Sequence, residues 1–164
     1  MTAKTDFTQE EWGHLLEAPF SVSLLVSTSD PNVFDAVKES LAAAKAIAVA
    51  AKSTTASELL HALTEDLQHR DTAKQARPDL SSKDPVQVRR ELLGHIAEAS
   101  TLLGQKATPA EADEIRGWLY QVGVDVAEAA KEGGVFGIGG TRVSDAEKQA
   151  LADLAQTLGV TPQG

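Results

Sequence analysis

The side chains with the most chemical capacity are histidines that follow glutamates at helical spacing. Glu11 and His14 are three residues apart, as are Glu58 and His61, and Glu91 and His95 are four apart. Glu-x-x-His is the ligand pattern of di-metal carboxylate bundles, which need one such pair on each of two helices and a single Glu from each of two more. A metal-dependent enzyme of the helical-bundle type is therefore one reading. Against it, the first pair falls on a short helix ahead of Pro19, and the third has the wrong spacing. Ordinary exposed helix pairs are the expected role. Nucleophilic chemistry has no foothold either. The 164 residues contain no cysteine, and no serine stands in Gly-x-Ser-x-Gly or Ser-x-x-Lys. The expectation is a protein that is not an enzyme.

A second chemical feature is the run Gly133-Gly134-Val135-Phe136-Gly137-Ile138-Gly139-Gly140-Thr141-Arg142. Successive glycines ahead of a helix can present backbone N–H groups to an anion. No Gly-Lys-Ser/Thr follows, so this is no P-loop. The next helix opens on Asp145 and Glu147, which repel phosphate, and Arg142 alone compensates. A packed loop, with Phe136 and Ile138 against neighbouring helices, is the expected role.

Charge narrows the partners. The net charge is −9, from 15 basic and 24 acidic residues, which speaks against nucleic acid, since phosphate binding needs clustered Lys and Arg. The exception is residues 69–90. There Arg70, Lys74, Arg77, Lys83, Arg89 and Arg90 face only Asp71, Asp79 and Asp84, a local +3 that leaves −12 for the rest. Arg70, Lys74 and Arg77 share a helical stripe, ordinarily a solvated face and otherwise a docking surface for an acidic partner. The first eleven residues contain no apolar h-region, and the most apolar stretches, 18–26 and 41–51, fall short of the roughly 20 residues that span a bilayer. These features predict a soluble, cytoplasmic chain with no membrane insertion.

Helix starts are written as caps. Thr8 with Glu11, Thr55 with Glu58, Thr108 with Pro109 and Glu111, and Ser144 with Glu147 form capping boxes, in which hydroxyl and carboxylate each accept from a free N–H. Asp30-Pro31 and Asp84-Pro85 add two cap-plus-proline starts. Apolar residues recur at helical spacing behind them: Val37, Leu41, Ala44, Ile47 and Ala51; Leu92, Ile96, Ala99 and Leu103; Ile115, Leu119, Val122, Val126 and Ala129; Ala150, Leu151, Leu154 and Leu158. Gly159 stands where a C-terminal cap belongs. Pro19 is expected to kink or split the first helix. The pattern predicts an all-α bundle of about seven helices in a single domain covering 1–164, near 9–17, 20–28, 32–51, 56–68, 85–104, 109–131 and 145–158, with 68–84 as a mobile connection that has room for a helical turn. A domain this long buries roughly 70% of the surface its unfolded chain exposes, and needs no staple.

Two segments carry a family resemblance. Val126-Ala-Glu-Ala-Ala-Lys-Glu-Gly133 leads through a loop into Val143-Ser-Asp-Ala-Glu-Lys-Gln-Ala-Leu-Ala-Asp-Leu-Ala-Gln-Thr-Leu-Gly159, and Leu24-Leu-Val-Ser-Thr-Ser-Asp30 precedes Asp35. Together they resemble the tellurite-resistance TerB-like family of small helical bacterial proteins. The resemblance implies a compact seven-helix fold and a stress-response role exercised through protein partners. It also implies two acidic turns that come together around a divalent cation, Ca²⁺ or Mg²⁺. In this chain those turns would supply Asp30, Asp35, Glu132, Asp145 and Glu147, oxygen donors of the kind hard cations take. Pro31 follows Asp30 where the family has Gly. Asp30, Asp145 and Glu147 also stand where a carboxylate serves its own helix N-terminus without any metal. A third reading is a purely structural module that binds a partner helix.

Overall fold

Capping chemistry places the helices much as their residue patterns require. The structure is a computed structural model that describes residues 1–30, 36–132 and 143–162, with side chains in all of these except 36–39 and 130–132. A 3₁₀ turn at Lys4–Asp6 precedes α1 (Gln9–Ser27), α2 (Ala36–Ala51), α3 (Glu58–Gln68), α4 (Arg70–Gln75), α5 (Pro85–Lys106), α6 (Pro109–Glu132) and α7 (Asp145–Leu158). There is no strand among the described residues, and the all-α bundle is what the periodicity demands. No helix among them is long and apolar enough to cross a membrane.

Thr8 and Ser144 each accept from the backbone three residues on while Glu11 and Glu147 reach back, closing both boxes. Asp84 accepts from Val86 and Gln87, each at 3.0 Å. Gly159 ends α7 at φ 69°, the left-handed conformation that costs glycine nothing. The Asp30-Pro31 start lies outside the described residues. The short α4 occupies the connection after Gln68.

Three expectations are corrected. First, Pro19 does not split α1, which runs unbroken through it. Proline removes one N–H that would reach the carbonyl four residues back. Here Leu15, Ala18, Val22 and Leu25 on either side all sit in one core, so continuing the helix retains more than breaking it would recover. Second, α3 begins at Ser57 and not at Thr55. The Ser57 hydroxyl accepts from Leu60 N–H at 3.2 Å, and Ser57 N–H donates to Glu114 of α6 at 3.0 and 3.2 Å. The reciprocal carboxylate of the capping box thus comes from another helix. Third, the face assigned to α2 is rotated. Leu41 is 63% exposed and Ala44 is exposed, while Ala43, Ala46, Ile47 and Ala50 are buried. An alanine-rich helix offers more than one apolar face, and turning the alanines inward lets α2 approach its neighbours closely.

α1 is the hub, packed on α2, α3, α5, α6 and α7. It runs antiparallel to α5: His14 Nε2 lies 3.4 Å from Glu98, His95 Nδ1 lies 2.7 Å from Glu17, and Lys106 Nζ lies 2.6 Å from Glu11. Arg116 of α6 donates to the Ser100 carbonyl of α5 at 2.7 Å, and Arg89 of α5 pairs with Asp153 of α7. The N-terminal segment is pinned by one carboxylate. Glu111, 7% exposed, accepts from Thr2 N–H and hydroxyl at 2.9 and 2.6 Å and from Thr108 N–H and hydroxyl at 3.0 and 2.7 Å. Burial alone raises its pKa, but donation by Thr2 and Thr108 outweighs that and holds it at about 2.

A depressed carboxylate stabilises the fold above its unfolded pKa, and that contribution fades as pH falls through the folded value. The Glu111 share, at most about 3 kcal/mol, is therefore expected to disappear between pH 4.5 and about 2. Thermal melts across that range should fall more steeply for the native chain than for Glu111→Gln; parallel curves would remove Glu111 as the cause. Glycines offer a second measurement. A Cβ on Gly123 would meet Leu154 at 2.7 Å, Leu151 at 3.2 Å and Val22 at 3.3 Å, whereas one on Gly94 or Gly117 meets nothing within 4 Å. Gly94→Ala and Gly117→Ala are expected to gain roughly 0.5–1 kcal/mol each. Gly123→Ala is expected to lose stability, because the three side chains are held between α1, α6 and α7 and overpacking typically costs about 1–3 kcal/mol. Denaturant unfolding reads both signs.

Candidate binding groove

The acidic residues of the two turns do other work where they are described. Asp30 is half-buried just past the end of α1. Asp35 lies outside the described residues, and so does the side chain of Glu132, the last residue of α6. Asp145 is exposed on the first turn of α7, with Lys148 Nζ at 3.8 Å. Glu147, only 4% exposed, accepts from Ser144 N–H at 2.8 Å. Among the described residues no three His, Cys, Asp or Glu side chains are grouped so as to hold a metal ion. Residues 133–142, where the anion nest and the packing of Phe136 and Ile138 were expected, also lie outside the described set.

Two of the three Glu/His pairs, Glu11/His14 and Glu91/His95, find their partners on other elements rather than in each other. Glu11 serves Lys106 and the Thr8 cap, and the Lys106 hydrogen bond is the main cause that lowers its pKa. Glu91 receives the Ser81 hydroxyl and, at 3.0 Å, the Ser81 N–H, and its pKa is lowered by them. His14 and His95 meet Glu98 and Glu17 across the α1–α5 seam. Glu58 is exposed on α3 and His61 half-buried there. The spacing that resembled ligand pairs thus marks the edge of a helix interface. Arg70, Lys74 and Arg77 are all exposed, but α4 ends at Gln75, so Arg77 lies beyond it and the expected single helical stripe does not form.

What remains open is a groove between α2 and α6. The two helices run antiparallel: Ala43 near the start of α2 packs with Val126 and Ala127 near the end of α6, while Glu114 near the start of α6 reaches Ser57 just beyond α2. The groove has a volume of about 750 Å³ and ends at Ala56 and Leu60. Ala46, Ala50, Trp118 and Val122 line it between the two helices. Along α2 the lip carries Leu41, Lys45 and Val49, one helical turn apart. Leu41 and Val49 are 63% and 62% exposed, and they are two of the four large hydrophobic side chains exposed among the described residues. Along α6 the opposite lip carries Glu114, Gln121, Asp125 and Glu128. The Trp118 indole N–H is buried without an acceptor among the described residues.

A second cleft, of about 590 Å³ between the N-terminal segment, α1 and α4, is more polar. Its chief polar groups are already engaged: Asp66 accepts from Lys4 and, at 2.8 Å, from the Trp12 indole. Burial raises the Asp66 pKa, and these two donors more than offset it.

The groove was not legible from the residue pattern, because its lip depends on the rotation of α2 about its own axis. The signal that could have found it is Leu41 and Val49, large apolar side chains about two turns apart in an alanine-rich helix with Lys45 between them.

If Glu147 is a capping residue and nothing more, Glu147→Ala is expected to cost about 1 kcal/mol and to cost it equally in EDTA and in millimolar Ca²⁺ or Mg²⁺. Melting curves in the three buffers decide; a loss that appears only with the ion would make Glu147 a ligand. Compared with known proteins, the chain matches no family model, no curated sequence and no solved structure.

Proposed function

We propose that this chain is a non-enzymatic cytoplasmic interaction module that acts through a protein partner seated in the α2–α6 groove. The observation that carries the reading is the groove's lip: Leu41 and Val49 present large apolar surface at a cost that folding alone does not explain. Turned inward, they would each gain roughly 1.5–3 kcal/mol of burial. With Ala46, Ala50, Trp118 and Val122 they line a concave, mostly apolar trough, the form that binding sites take. Glu11, Glu91, His14 and His95 are taken up in caps and contacts between elements, which favours this reading over a helical-bundle enzyme.

The resemblance of residues 24–30 and 124–159 to the TerB-like family supports the same class of role and suggests its setting, bacterial stress response of the tellurite-resistance type. The reading requires no metal ion.

The test is an apolar dye that fluoresces on binding, titrated into the folded chain. One saturable site is expected, lost in Leu41→Asp/Val49→Asp while the melting temperature stays within a few degrees. Dye binding that survives this double substitution, or no saturable site in the native chain, sinks the reading.

A further inference from the structure

The groove's shape and its unequal walls identify the partner it fits. We infer that it takes a basic amphipathic helix of about four turns, with the helix's apolar stripe against α2 and the groove floor and its Lys/Arg flank over α6. This rests on the interaction-module reading and specifies its partner.

Length comes first. From Leu41 to Ala50 the groove follows α2 for roughly 14 Å, and from Glu114 to Ala129 it follows α6 for roughly 22 Å, at about 1.5 Å per helical residue. A straight trough of that length between two antiparallel helices accommodates a third helix of some 12–15 residues. Chemistry follows. Leu41 and Val49 lie two turns apart on one lip, with Ala46, Ala50 and Val122 as small or branched contacts between the walls. That surface complements large side chains at positions i, i+4 and i+7, the anchors of a helix laid in a groove.

Charge then separates one kind of helix from another. Glu114, Asp125 and Glu128 face a single Lys45 across the groove, and the chain as a whole carries −9. Glu114 already accepts from Ser57 N–H and Asp125 from Gln121 at 2.9 Å, yet both keep their negative charge and further lone pairs. An acidic or strongly polyanionic ligand meets repulsion on α6. A helix with Lys or Arg on one flank meets three carboxylates spaced along α6, and the net charge of the chain speeds its approach.

The experiment uses the full chain and two labelled synthetic helices of about 16 residues with the same leucine stripe, one carrying lysines and the other glutamates, followed by fluorescence anisotropy and by displacement of the apolar dye. The lysine peptide is expected to bind at least about tenfold tighter than the glutamate peptide at low salt, and its affinity should fall several-fold between about 20 and about 200 mM salt. Asp125→Lys/Glu128→Lys should reverse the preference. Val49→Asp should weaken the lysine peptide while leaving the melting temperature near that of the native chain. Equal binding of both peptides, or a preference untouched by the charge reversal, overturns the basic partner and leaves the groove reading standing. Dye binding that neither peptide displaces does the same. Absence of the saturable dye site strikes at the groove reading itself. A concentration-dependent dimer dispersed by Leu41→Asp would assign the groove to a second copy of the chain and overturn the inference.

Discussion

Everything in this fold is arranged around the burial of α1. Nineteen residues long, it is apolar on nearly every side: Trp12, Leu15, Leu16, Ala18, Val22, Leu25 and Val26 are all buried. A helix of that kind cannot lie on a surface, so α2, α3, α5, α6 and α7 each give it a face. The same enclosure carries α1 through Pro19, since both of its halves lose the core if the helix breaks.

Covering one central helix with five others leaves their outer seams to be closed by polar contacts. α5 closes along α1 with reciprocal histidine–glutamate contacts and Lys106, and α6 closes on α5 through Arg116. α2 and α6 are different. They meet through Ala43, Val126 and Ala127 at one end and are held at the other by the Glu114–Ser57 cap, with no ion pair between them among the described residues. The inward alanines of α2 allow close approach below, and its larger residues are left on the rim. An apolar groove with an acidic wall is the consequence, and the proposed interaction role rests on that geometry.

Carboxylates govern the polar architecture, mostly from helix N-termini. Glu11 and Glu147 close local boxes, Glu111 extends its box to the buried Thr2, and Glu114 completes the cap of a helix distant in sequence. Glu111 accepts from the N–H and hydroxyl of both Thr2 and Thr108, and these donors hold its pKa at about 2. The same few groups define the helix termini and tie distant segments to them. These carboxylates are engaged with N–H donors, and among the described residues no three His, Cys, Asp or Glu side chains are grouped so as to hold a metal ion.

The sequence by itself determined what is local. Thr8, Ser144 and Asp84 set helix starts because a hydroxyl or carboxylate reaches an N–H two or three residues away in any context, and Gly159 set a helix end because it alone adopts a positive φ freely. Leu92, Ile96, Ala99 and Leu103 declared a buried face because their period leaves no other. Tertiary structure decided whatever depends on a partner remote in the chain: the cap of α3, supplied by Glu114; the partners of His14 and His95; the continuity of α1 through proline. It also decided the rotation of α2, where the alanine-rich sequence offers more than one apolar face and the fit of small side chains against its neighbours selects one. The groove exists because of that selection, so the family of residues that could do chemistry was legible, and the surface best suited to bind a partner was not.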